Sequence, residues 1–190
     1  CISCANGTDA ITIALMAHGV GTGDAVFVPD FTFFSSGECP ATVGATPVFE
    51  DVDLHTYNIA ASSLEATILK VQEEGQLKPR AVVAVDLFGQ PFDVQAIRRI
   101  CDKYNLLLLE DAAQGFGGSY IHHNVVTGES TTHLACSLGD IATTSFFPAK
   151  PLGCYGDGGA IFTNDDEIAT ICRSIAVHGK DMGNPSDPNA

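Results

Sequence analysis

Short runs that stay apolar alternate along this chain with longer stretches in which apolar residues recur three or four apart. The first kind comprises "CISCA" (1–5), "AVFVP" (25–29), "TPVFEDV" (46–52), "AVVAVDLF" (81–88), "LLLLED" (106–111), "IATTSFF" (141–147) and "GGAIFTN" (158–164). These predict strands, and Pro29 supplies a stop after the second. The second kind predicts helices: "AITIALMAHGV" (10–20), part of 34–44, "SSLEATILKVQEE" (62–74), "DVQAIRRICDKY" (93–104) and "DDEIATICRSIAVHG" (165–179). Capping chemistry sits before three of them: Asn6, Gly7 and Thr8 before the first, Ser62 or Ser63 at the third, Asn164 or Asp165 at the last.

Strands this continuously apolar suit a mostly parallel sheet with helices on both faces, so the expected class is α/β. Residues 121–134, "IHHNVVTGESTTHL", show no such period and read as an irregular polar excursion at the surface. In an open α/β sheet ligands bind at the carboxyl ends of the strands. Gly7, Thr8, Phe33, Asp111, Ser145 and Lys150 all fall at such ends.

Composition narrows the possible partners. Asp and Glu total 23 against 9 Lys and Arg, a formal charge of −14, which argues against a broad nucleic-acid surface. A local anion site made of backbone amides does not depend on net charge. No apolar run reaches the roughly 18 residues of a membrane span. Seven cysteines, an odd number lying mostly in apolar segments, read as reduced thiols of a cytoplasmic protein. The Cys1–Cys4 pair lacks the further ligands of a zinc set, so no metal is expected. The expected organisation is one large domain over 1–180, incomplete at its N-terminus, and a polar tail at 181–190 leading toward a missing small C-terminal domain.

Asp111 ends an apolar strand, where a carboxylate is costly unless a cation meets it. It could be a helix cap or a loop ion pair. It could equally keep the pyridinium nitrogen of pyridoxal 5'-phosphate (PLP) protonated, with Gln114 reaching the cofactor's phenolic oxygen. Lys150 follows two phenylalanines and precedes the glycine-rich "GCYGDGG" (153–159). Its stem could pack on Phe146 or Phe147 while its head reaches water. Alternatively, a desolvated amine there would be a nucleophile able to form a Schiff base and move a proton. Gly7 and Thr8 at a helix start could face a phosphate or simply belong to a cap. Ser145 could add a hydroxyl, and Phe33 could stack on a ring or lie in the core.

"NGTDA" (6–10), "PDFTFFSS" (29–36), "EDAAQGFG" (110–117), "SLGD" (137–140) and "SFFPAKPLGCYGDGGAIFTND" (145–165) stand in the order found in the DegT/StrS-type nucleotide-sugar aminotransferases, and the chain resembles that family over 1 to about 180. The resemblance implies a PLP fold type I (aspartate-aminotransferase-like) large domain with a seven-stranded sheet. It also implies a homodimer with shared active sites, and a reaction moving an amino group from L-glutamate to a nucleotide-linked keto sugar. The stretch around Lys150 looks most like the subgroup acting on UDP-linked 3-keto-hexuronic acids for bacterial surface polysaccharide. On that likeness Lys150 is the Schiff-base lysine and Asp111 the pyridinium partner. Gln114 contacts the ring oxygen, Phe33 stacks, and Gly7, Thr8 and Ser145 hold phosphate. Ala149 departs from the Ser or Thr that relatives commonly carry there. A PLP-dependent sugar dehydratase, whose relatives replace the lysine with histidine, and a PLP-binding regulatory protein are the alternatives on the same fold.

Overall fold

The computed structural model describes residues 1–123 and 127–180. In chain order the elements are β1 (Ile2–Cys4), α1 (Gly7–Ala17), β2 (Asp24–Pro29), α2 (Ser35–Thr42), β3 (Thr46–Glu50), α3 (Ala61–Glu74) and β4 (Lys78–Val85). There follow α4 (Val94–Tyr104), β5 (Leu107–Asp111), β6 (Ser119–His123), β7 (Ser130–Leu134), β8 (Ile141–Ser145), β9 (Gly159–Phe162) and α5 (Asp166–Ala176). Seven strands form one sheet in the order β1-β9-β8-β5-β4-β2-β3. Pairings from β3 through β8 are parallel, and β9 runs antiparallel to both its neighbours.

Strand alternation divides the core. On β4, Ala81, Val83 and Val85 join α1, α2 and α5 on one face, while Val82 and Ala84 join α3 and α4 on the other. Phe27, Leu64, Ile68 and Ile97 on the second face are fully buried, each contributing about 1.5–3 kcal/mol of transfer free energy. A sheet apolar on both sides requires both helical layers, as the near-continuous apolar strands predict.

Local chemistry sets the helix ends. Asn6 caps α1 by accepting from Asp9 N–H at 2.7 Å, and Asp165 caps α5 through Glu167 and Ile168 N–H. The expected serine cap of α3 is not formed. Ala60 takes the cap position without a side-chain bond, because Ser63 Oγ instead donates to the buried Glu50 at 2.8 Å.

Several strands end before their apolar runs do. The run at 141–147 leaves the sheet after Ser145, the run at 81–88 turns into a short 3-10 segment at Leu87–Gly89, and the run at 46–52 stops at Glu50. The polar excursion is not irregular. Residues 119–123 and 130–134 pair antiparallel as a hairpin, and 124–126 between them lie outside the described residues, as does 181–190. Both of its faces carry polar side chains, so no two-residue hydrophobic period marks it. Every described cysteine is free, and burial pushes the Cys101 thiol up to about 12. Among the described residues no helix is long and apolar enough to cross a membrane, and no group of three or more metal-ligating side chains assembles.

Candidate active site

The carboxyl ends of β1, β2, β4, β5 and β8 open onto a cavity of about 1010 Å³. Every residue singled out from the sequence lines it: Gly7, Thr8, Phe33, Asp111, Gln114, Ser145 and Lys150.

The helix end comes first. β1 leads into α1, whose cap engages Asp9 N–H, while Ala10 N–H closes the first turn on the Asn6 carbonyl. Gly7 and Thr8 N–H remain at the open end of the helix, where the dipole favours an anion. Gly7 has to be glycine, since a Cβ there would come within 2.7 Å of Ser145 Cβ. Ser145 Oγ accepts from Phe147 N–H at 3.2 Å, which leaves its own proton to donate. Two backbone amides and a hydroxyl thus meet at one corner, a donor set suited to phosphate.

Lys150 is carried by a tight turn. After β8, Phe146 N–H donates to Gly158 O at 2.7 Å, Lys150 N–H to Phe147 O at 2.8 Å, and Cys154 N–H to Phe146 O at 2.8 Å. Glycines allow this closure: a Cβ on Gly153 would reach Pro148 O, and one on Gly159 would overlap the Asn6 carbonyl. The second contact brings β9 against the start of α1, seating the lysine turn beside the helix end. Lys150 is half-buried, and its Nζ lies 5.8 Å from the centroid of the Phe33 ring. That ring is 67% exposed at the cavity rim, so Phe33 covers the lysine instead of filling the core.

Asp111 ends β5 on the α1 side of the sheet, since its partner in register, Val85, belongs to that core. Ala113 N–H donates to Oδ1 at 3.1 Å. Burial pushes the carboxyl above its ordinary range, while the Ala113 bond and the charge of Lys150 pull it back. A buried carboxylate facing a cavity, with one oxygen engaged, fits a cationic ring nitrogen. Gln114 is fixed through its carbonyl oxygen, which accepts Phe88 N–H at 2.6 Å, so its amide NH2 is the end left for a ligand oxygen. These residues fit PLP at three separate points: phosphate corner, amine and carboxylate.

Further lining residues were not singled out from the sequence. Thr32, whose hydroxyl meets Ser36 Oγ at 3.1 Å, Phe88 with φ at 56°, and the exposed Asp157 all border the cavity. Asp157 stands within the glycine run already noted, so its place was visible but its role was not. Ala149 also lines the cavity and offers no hydroxyl there.

This architecture is that of PLP-dependent aminotransferases. More narrowly, the chain belongs to the DegT/DnrJ/EryC1/StrS aminotransferase family, whose model matches residues 1–188. It is 51% identical over 181 residues to UDP-2-acetamido-2-deoxy-3-oxo-D-glucuronate aminotransferase of Pseudomonas aeruginosa, covering 95% of this chain and 46% of that protein. The crystal structure of a DegT/DnrJ/EryC1/StrS aminotransferase from Brucella abortus superposes with a TM-score of 0.87 at 48% identity, over 97% of this chain and 47% of that one. NtdA from Bacillus subtilis, solved with bound cofactor PMP, matches with a TM-score of 0.77 at 30% identity over 97% of this chain and 38% of that one. The chain therefore spans about half the length of the relatives it matches.

Proposed function

We propose that the protein is a PLP-dependent aminotransferase that moves an amino group from L-glutamate to the keto group of a nucleotide-linked sugar. The convergence of Lys150 and Asp111 on one cavity, beside a glycine-lined helix end, carries this reading. When bound, PLP supplies an electron sink for charge that develops at the substrate carbon. The chain's own residues hold and orient. Gly7 and Thr8 N–H with the Ser145 hydroxyl would hold the phosphate, Asp111 would meet the ring nitrogen, and the Gln114 amide would serve the ring oxygen. Lys150 would hold the cofactor through its side-chain amine, and that amine would take and return a proton at the substrate carbon. Phe33 lies over the lysine at the cavity rim, its ring centroid 5.8 Å from Nζ. Residues 1–180 are read as the cofactor-binding large domain of a cytoplasmic homodimer with shared sites.

The substrate we infer is a UDP-linked 3-keto-hexuronic acid used for surface polysaccharide. The Pseudomonas relative's name, at 51% identity, supports that choice. Full-length protein supplied with glutamate and a panel of UDP- and dTDP-linked keto sugars should aminate the UDP-3-keto-hexuronate, read by product mass. Amination of a different sugar alone would overturn the substrate, and none at all the activity.

A further inference from the structure

A second acidic centre lies on the opposite face of the sheet from Lys150. Glu110 pairs in register with Ala84 of β4, and Asp86 lies two residues beyond Ala84, which in an extended chain brings it to the same face as Glu110. Both carboxyls have no exposed surface. Glu110 is tied down: Oε1 accepts Cys136 N–H at 2.6 Å and Oε2 accepts Leu138 N–H at 2.7 Å. Short bonds to both oxygens are those of an ionised carboxylate. Neither oxygen of Asp86 meets a partner in hydrogen-bonding geometry, although Glu110 and the Phe92 backbone lie close enough to bias its titration. No ion pair among the described residues includes either carboxyl.

The titratable groups near Asp86 are Glu110 on its own face, the Cys136 thiol after β7, and Asp111 acting through the sheet from the other face; burial and these carboxylates push the thiol up to about 12. A second unpaired charge in this place has nothing to offset its desolvation. We propose that Asp86 is protonated and donates to Glu110, so that the pair carries one negative charge, and that this shared proton positions the turn bearing Asp111 and Gln114.

Packing links the pair to the turn. A Cβ on Gly115 would stand 2.5 Å from Asp86 Oδ2 and 2.7 Å from its Cβ, so the turn rests directly on this carboxyl. Asp86 N–H donates to Asp111 O at 3.0 Å, and two residues on, Phe88 N–H holds Gln114. From Glu110 the bonds run to the segment closing the β6–β7 hairpin, where Ala135 N–H returns to Gly118 O at 3.0 Å. Three segments meet on one proton. Asp86 touches no reacting atom and is a positioning residue.

The sign of the pH effect follows. Burial, then repulsion from Glu110, pushes Asp86 up to about 8, whereas in the unfolded chain it titrates near 3.9. The folded chain keeps a proton that the unfolded chain releases. Stability from this proton is complete below about pH 4 and is lost as pH rises toward about 8.

Infrared spectroscopy of full-length protein tests the pair without requiring cofactor. Expected is the carbonyl stretch of a buried protonated carboxylic acid near pH 7, lost above about pH 9 and absent from Asp86→Asn. Asn keeps a donor toward Glu110 without ionising, so the variant's melting temperature should fall less than that of wild type between about pH 6 and 9. Amide exchange at Gly115, Cys136 and Leu138 should quicken with pH beyond its intrinsic rise in wild type alone. The effect on cofactor rests on the function proposed above: PLP affinity should drop several-fold over that interval in wild type and hold in Asp86→Asn. A wild type without the band near pH 7, or an Asp86→Asn variant that opens with pH as wild type does, overturns the proposal. Should the variant not fold, the wild-type band and its alkaline loss decide alone.

Discussion

Glu110 and Asp111 are neighbours on β5, both buried, and they do opposite work. Asp111 faces the α1 side, where one oxygen is engaged by Ala113 and a cavity with Lys150 lies before it. Glu110 faces the α3–α4 side, where two backbone amides occupy its oxygens. Strand alternation alone separates them. A carboxylate whose valences are filled by backbone is structural; one left short of partners at a cavity is available to a ligand.

Replacing Lys150 by Ala should erase the visible absorption of bound PLP and cut glutamate-dependent amination by at least about 10³-fold. Spectrum and assay on full-length protein check this, and stability should hardly change because the amine is only half-buried. The two carboxylates should then part company. Asp111→Asn should leave urea stability equal or higher, since burial disfavours that charge, while costing about 10²-fold or more in turnover. Its sign can be checked against pH. A folded-state carboxyl held above its unfolded range contributes stability at low pH that is lost as pH rises, and Asp111→Asn should flatten that decline.

Glu110→Ala should do the reverse. With two inward N–H groups left unpaired, unfolding free energy should fall by about 3 kcal/mol, read by urea melts. Equal stability losses at both positions would dissolve the contrast. Gly7→Ala sets a methyl against Ser145 Cβ and should weaken PLP binding about tenfold, at a cost of about 1–3 kcal/mol for the clash. Ser145→Ala removes one donor and should weaken it less, by about 1 kcal/mol; fluorescence titration with PLP compares the two.

The alternation of strands and helices was legible because the central strands β2, β4, β5 and β8 are buried on both faces while the helices bury one stripe. Lys150 and Asp111 were legible as a pair, though neither alone, because each sits at a strand end where charge is out of place. Less could be read where side chains met at long range. Asp86 sits within an apolar run, and only the fold shows that Glu110 and Gly115 close over it. Ser63 looked like a cap until Glu50, far off in sequence, claimed its hydroxyl. The β6–β7 hairpin was missed because two polar faces leave no period to find. Phe88 reaches the cavity through a positive φ that nothing in its neighbours foretold.

The most direct measurement is reductive trapping. Full-length protein loaded with PLP, treated with borohydride and digested, should carry the cofactor mass on the peptide containing Lys150 and on no other. Label on Lys70, Lys78, Lys103 or Lys180 instead, or no label at all, would contradict the site.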